Sequence, residues 1–326
     1  AGELGELGRG PRVQSELVDD FDFGLGHGGS AGKGVCILAN LRGKGFLFVE
    51  SRVMLDCAKR MEGKETMAFV EIDGIALEYE WWRPQDAAAA ASPVVLLHEA
   101  LGSVSIWRDF PQRLAAALRR PVMAYSRQGY GRSGREDRPR GVDYLHREAL
   151  HWLPRVLSAL EIEHPVLVGH SDGASIALIC AASGLAPRPE AAVLIAPHVE
   201  VEPEAIAGIE AADRLWRTTD WPQRLARHQP DPQRVFAAWR DTWRSPEFRA
   251  WNIEAEIPKI ACPVLAVQGD RDEYATLAQI EKIARGAPRG KMAVLPQCGH
   301  SPHRERPEAL IALIADFLHQ LDEERT

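Results

Sequence analysis

Cysteine is scarce. The chain of 326 residues has five, Cys36, Cys57, Cys180, Cys262 and Cys298, and no C-x-x-C pair. An odd number at wide spacing excludes a disulfide framework and a paired-cysteine zinc site, and reads as reduced thiols in a cytoplasmic protein. A basic excess is also missing. Lys and Arg total 39 against 46 Asp and Glu, a formal charge of −7. This disfavours a general nucleic-acid coat, since phosphate binding wants a basic stripe. No apolar run approaches the roughly 18 residues of a membrane span. No charged-then-apolar N-terminus reads as a signal peptide. We expect neither nucleic acid nor membrane as a partner. Apolar residues are plentiful, at 45%, which is enough for a buried core and too many for global disorder. At about 150 residues per domain the length suits two domains or one large α/β domain.

Residues 1–66 differ from the rest, holding 13 of the 27 glycines. Gly24 to Gly34 has no hydrophobic period and reads as a flexible loop. Gly24, Gly26 and Gly29 match G-x-G-x-x-G, and Gly32-Lys33 resembles a phosphate loop. Neither has the strand before it and helix after it that would seat a phosphate, and Gly34 stands where a magnesium-binding hydroxyl is needed. We expect a Gly-rich N-terminal extension over 1–66, with order beginning near Met67. Its deletion is expected to spare folding.

From there the pattern alternates. Two β-rich runs joined by Asp73-Gly74 predict a hairpin, Phe69 to Ile72 and Ile75 to Trp82. Short apolar runs follow at 93–97, 121–125, 165–168, 191–196, 263–267 and 291–295. Stretches of helical spacing stand among them at 107–119, 142–160, 174–182 and 307–321. Unbroken apolar strands between helices imply a mostly parallel sheet covered on both faces, with a site at the strands' carboxyl ends. Residues 197–260 interrupt the alternation. They are helical in pattern and hold Trp216, Trp221, Trp239, Trp243 and Trp251, five of the nine tryptophans. This predicts a helical cap inserted into a core of 67–196 and 261–326. Its tryptophans either form the cap's own core or line a pocket; Trp216 and Trp243 are the named candidates for substrate contact.

One motif carries chemistry. Gly169-His170-Ser171-Asp172-Gly173 lies directly after a strand and before a helix, the context G-x-S-x-G requires. Small flanking residues let the backbone bend and leave the serine hydroxyl free above the sheet. A serine needs a base, and His300, in the loop after the last strand, is the best placed. The imidazole needs an orienting carboxylate. Asp272, after the strand 263–267, is preferred to Asp270. The oxyanion needs two N–H donors. We expect Asp172 and Ala100, with Leu101 the alternative to Ala100. His303 stands one H-x-x-H step beyond His300, but further ligands are lacking, so no metal is expected.

With these residues in hand, the span from about Met67 to Leu321 resembles the α/β-hydrolase fold with a helical cap, in its serine esterase, valacyclovir-hydrolase-like and aminopeptidase-like branch. The matching segments are His98 to Ser103, Ser126 to Ser133, Gly169 to Gly173, Gly269 to Asp272 and Gly299-His300. The chain departs from the family pattern at Glu99, where Gly is usual, and at Ser126, where an acid is common. The resemblance implies a Ser171-His300-Asp272 triad, no cofactor, and a small-molecule acyl substrate cleaved through an acyl-enzyme. Ser171 disfavours the dehalogenases and epoxide hydrolases, which carry Asp there. Carbon–carbon hydrolases of ring-cleavage products share the triad but usually place Trp where Ser301 stands. They remain the first alternative, and a non-catalytic ligand-binding protein the second. In valacyclovir-hydrolase-like enzymes the acid after the nucleophile can meet a substrate amine, a role open to Asp172 and Glu99.

Overall fold

A computed structural model of the protein describes residues 68–87, 91–137 and 140–324. The Gly-rich segment 1–66, with Cys36 and Cys57, lies outside the described residues. Among the described residues eight strands form one sheet: β1 (Ala68–Ile72), β2 (Ile75–Trp82), β3 (Val94–Leu97), β4 (Val122–Tyr125), β5 (Val166–His170), β6 (Ala191–Ile195), β7 (Val264–Gly269) and β8 (Gly290–Leu295). Their order is β1-β2-β4-β3-β5-β6-β7-β8. The hairpin β1–β2 and the pair β2–β4 are antiparallel, and every other pairing is parallel.

The unbroken apolar strands follow from burial on both faces. Side chains alternate across a strand. Thus Val95, Leu97, Leu167, Ala192, Leu194 and Ala266 enter one core, while Val94, Leu96, Val166, Val168, Val193 and Val267 enter the other. Each fully buried Val or Leu side chain contributes about 1.5–3 kcal/mol relative to exposure.

Among the described residues ten helices accompany the sheet: α1 (Phe110–Leu118), α2 (Tyr144–Arg147), α3 (Leu153–Ala159), α4 (Asp172–Ser183), α5 (Pro203–Thr218), α6 (Trp221–Leu225), α7 (Pro232–Arg244), α8 (Ala278–Gly286), α9 (Pro302–Glu305) and α10 (Pro307–Glu323). The helices α1 and α10 cover one face. The helices α3, α4 and α8 cover the other, together with aromatic residues of the segment between β6 and β7. From Asp172 to Ala182, α4 is buried on every side, which is why its sequence has no polar stripe. The stretch expected as one helix over 142–160 is split by a π-turn at Glu148–Trp152. Pro154 has no N–H for the carbonyl four residues back, so the hydrogen-bond ladder changes register there. Among the described residues no helix is long and apolar enough to cross a membrane.

Candidate active site

The parallel strands deliver their carboxyl ends to one edge of the sheet, and the loops that leave it meet there. After β5 the chain reverses sharply into α4. Ser171 sits in this bend with φ 53° and ψ −117°, a region that costs a non-glycine residue about 1–3 kcal/mol. The bend requires Gly173, because a Cβ there would overlap the carbonyl oxygens of Leu97 and His98. That close approach brings the first amides of α4 alongside the loop after β3, which contains Ala100 and Leu101.

The loop after β8 carries His300 to the bend. Its Nε2 lies 3.0 Å from Ser171 Oγ. Its Nδ1 lies 2.9 and 3.0 Å from the two carboxylate oxygens of Asp272. A carboxylate only accepts, so Nδ1 carries the proton and Nε2 is left to accept from the serine hydroxyl. Of the two aspartates after β7, Asp270 faces elsewhere, accepting from the Cys298 amide at 3.2 Å. Gly269 lets the two loops close, since a Cβ there would overlap the carbonyl oxygens of Cys298 and Gly299. Ser171, His300 and Asp272 are all buried or nearly so. Burial opposes a charge on His300, yet the facing Asp272 carboxylate outweighs it and holds the imidazole above its ordinary 6.5. Asp272 stays below the usual carboxylate range because His300 and the Tyr274 amide offset the cost of its burial.

Several further residues hold this geometry. His170 Nε2 donates to the His300 carbonyl at 2.7 Å. Glu273 accepts from the His300 amide at 3.2 Å, and Glu305 accepts from the amides of Gly299 and Ser301. The ring of His198 lies 5.9 Å from that of His300. Gln229, from the segment between β6 and β7, is buried against the loop after β3. It donates to the carbonyls of Leu101 and Gly102, each at 2.8 Å, and accepts from the Gly131 amide at 2.8 Å. The acid missing at Ser126 is supplied from β2. Ser126 Oγ donates to Glu78 at 2.8 Å, and the same carboxylate oxygen accepts from the Arg132 amide at 2.9 Å.

The expected substrate-contacting residues divide. Trp243 meets the His198 ring at 4.9 Å and donates through Nε1 to the Tyr144 hydroxyl at 3.0 Å. Trp216 is not brought to this group. It stacks on Phe236 with ring centroids 4.0 Å apart and packs against Trp221. Glu99 stands in the loop after β3, and burial pushes its carboxyl up to about 7. Asp172 is wholly buried and engaged by Tyr144 and Arg140. His303 packs between Trp107, Phe110 and His170. Cys180, Cys262 and Cys298 are free and buried. Among the described residues no group of three or more His, Cys, Asp or Glu could hold a metal ion.

The profile of the alpha/beta hydrolase family matches residues 94–313. The chain belongs to that family. Among its relatives, the proline iminopeptidase of Heyndrickxia coagulans is 23% identical over 299 residues, covering 78% of this chain and 99% of the relative. The human serine hydrolase BPHL is 26% identical over 259 residues, covering 78% of this chain and 86% of the relative. The proline iminopeptidase of Mycobacterium smegmatis superposes with a TM-score of 0.63 at 20% identity, covering 80% of this chain and all of that one. Along the chain the three hydrogen-bonded groups come as serine, carboxylate and imidazole, Ser171, Asp272 and His300, the order in which alpha/beta hydrolases place theirs.

Proposed function

We propose that this alpha/beta hydrolase is a serine hydrolase that cleaves a carboxylic ester, or a related acyl bond, through an acyl-enzyme on Ser171. The observation that carries this reading is the continuous hydrogen-bonded line from Ser171 Oγ through the His300 ring to Asp272. His300 Nε2 takes the hydroxyl proton as Ser171 Oγ attacks the acyl carbonyl. Asp272 holds the ring in the required tautomer and stabilises the imidazolium that forms. The carbonyl oxygen becomes an oxyanion, held by the Asp172 amide at the positive end of α4 and by the Ala100 amide, with Leu101 the alternative donor. The C–O bond breaks and the alcohol leaves with the proton from His300. Water then repeats the sequence on the acyl-enzyme and restores Ser171. In this reading the helical segment 197–260 acts as a cap over the site, with Trp243 on its inner side. The names of the relatives are consistent with acyl transfer; one of them, the 2-hydroxymuconate semialdehyde hydrolase of a Pseudomonas, marks the carbon–carbon alternative.

Turnover of an activated ester by purified wild type, Ser171→Ala and His300→Ala tests the proposal. Each variant should lose at least about three orders of magnitude in kcat, and a fluorophosphonate should label the wild type and not Ser171→Ala. A Ser171→Ala protein as active as the wild type would sink it. Faster turnover of a dienol ketone than of any ester would move the assignment to carbon–carbon cleavage.

A further inference from the structure

The loop that carries His300 is held by its main chain as well as by its ring. Three consecutive amides there donate to carboxylates. The Gly299 N–H donates to Glu305 at 2.7 Å, and the Ser301 N–H to the same side chain at 3.1 Å. Between them, the His300 N–H donates to Glu273 Oε2 at 3.2 Å. Glu305 comes from α9, and Glu273 from the loop after β7, next to Asp272. Gly299 fits between the two acids. A Cβ there would stand 3.0 Å from Glu305 Oε1 and 3.1 Å from Glu273 Oε2, tighter than side chains normally pack.

Glu273 is poorly matched for an acid that only ties down a loop. Its Oε2 has the single amide, and its Oε1 is buried and bonds to no described residue. A buried carboxylate needs an opposite charge close by. The imidazole, separated from that amide by Cα and Cβ alone, is the group that can supply one. Burial pushes the Glu273 carboxyl up, and His300 is the strongest of the groups that oppose it.

The other groups around the ring leave its charge to the acids. Asp272 stands at Nδ1 and the Ser171 hydroxyl at Nε2. The Tyr274 ring lies 4.7 Å from the imidazole, that of His170 on β5 5.2 Å, and that of His198 after β6 5.9 Å. Burial pushes the Tyr274 hydroxyl up and keeps it neutral. Burial, with His300 beside them, pushes His170 down to about 3 and His198 to about 4. On α9, burial holds His303 well below 6.5. Glu99, after β3, is pushed by burial up to about 7 and is only partly ionised where His300 titrates. Arg304 of α9, near Glu99, His170 and His303, is the cation that opposes the acids. Burial works against a charge on His300; Asp272 raises it most, followed by Glu273 and Glu99.

Resting on the acyl-enzyme reading, we infer that Glu273 is a positioning residue for His300: it fixes the main chain beside the ring and sets a second negative charge there, so that the imidazolium formed as Ser171 attacks is answered by two carboxylates. Asp272 works through the ring and fixes its tautomer. Glu273 works through the main chain and leaves the tautomer alone. Replacing Glu273 therefore changes the basicity of His300 while Asp272 keeps the ring aligned, an effect that replacing Asp272 cannot isolate.

The ring signal of His300, assigned by its loss in His300→Gln, is titrated by NMR in the full chain labelled at histidine. Glu273→Gln keeps an acceptor for the amide and removes the charge. Glu273→Ala removes both, and takes its place if the buried amide group is not accommodated. Glu273→Asp keeps the charge. The midpoint should fall by at least about half a pH unit in the charge-removing variant and lie nearer the wild type in Glu273→Asp. On an activated ester the acid limb of kcat/KM should follow, with kcat lowered by no more than about tenfold. A midpoint unmoved or raised when the charge is removed, or one shifted as far by Glu273→Asp, would overturn the inference whatever happens to kcat. The rates report separately: midpoints that move as expected in a protein that turns over no ester keep Glu273 in its role and reject the acyl-enzyme.

Discussion

At the scale of single residues, the His300–Asp272 contact sets when the site can work. The base must be neutral to accept the Ser171 proton. Asp272 holds the His300 value above the ordinary 6.5, so activity falls as pH drops through a midpoint above 6.5. Asp272→Asn removes the charge that raises it, and burial alone then lowers it. The acid limb of kcat/KM should move to lower pH in Asp272→Asn, while kcat drops by about four orders of magnitude because the ring loses its tautomer. A pH–rate series on an activated ester reads both effects. An acid limb unmoved by the substitution would show that Asp272 does not face the working imidazole. The same residue shows how far the sequence could be read. Asp270 and Asp272 are both carboxylates in the loop after β7, and only the fold turns one to His300 and the other to the Cys298 amide.

At the scale of elements, strands were legible wherever both faces are buried, because the sheet demands apolar residues without interruption at 94–97, 166–168, 191–195 and 264–267. The helix Ala278–Gly286 and the pairing of β2 with β4 were not read, the second because strand order is set by long-range packing. The elbow and His300 were legible for a local reason, since their chemistry is written in adjacent residues. Gln229 had no such signature. Its partners lie 98 to 128 residues away, and a lone glutamine in a helical stretch reads as a solvated side chain. Its three bonds make it a positioning residue that fixes the peptide planes carrying the Leu101 and Gly102 carbonyls and so holds the loop after β3 in place. Gln229→Glu keeps the shape and exchanges the donor for an acceptor. It should cost about 2 kcal/mol or more in stability and lower kcat by about tenfold or more with little change in KM. Urea denaturation and steady-state kinetics measure the two. A rise in KM with kcat intact would assign Gln229 to substrate binding instead.

At the scale of the whole molecule, the hydrolase buries titratable groups of both kinds around one edge of its sheet, and their effects on stability have opposite signs. Burial, with the nearby His300, pushes His198 down to about 4 from 6.5. As pH falls below 6.5 the unfolded chain takes up a proton that the folded chain refuses until about 4, so stability is lost over that window. Burial pushes Glu148 up to about 7 from 4.5. As pH rises above 4.5 the unfolded chain ionises first, so this group loses stability on the way up to about 7. His170, at about 3, acts with His198, and Glu99 acts with Glu148. Between about 4.5 and 6.5 the two sets oppose each other, but burial also holds His98 and His303 well below their ordinary value, so the histidine side is the larger and the wild type should lose stability on acidification across that window. Single replacements should tilt the profile. His198→Gln should make the protein relatively more stable on acidification and Glu148→Gln relatively less. The change in slope can approach 1.4 kcal/mol per pH unit, the limit set by one proton. Urea midpoints across this range test the balance, and profiles of both variants running parallel to the wild type would show that these groups titrate alike in the folded and unfolded chain.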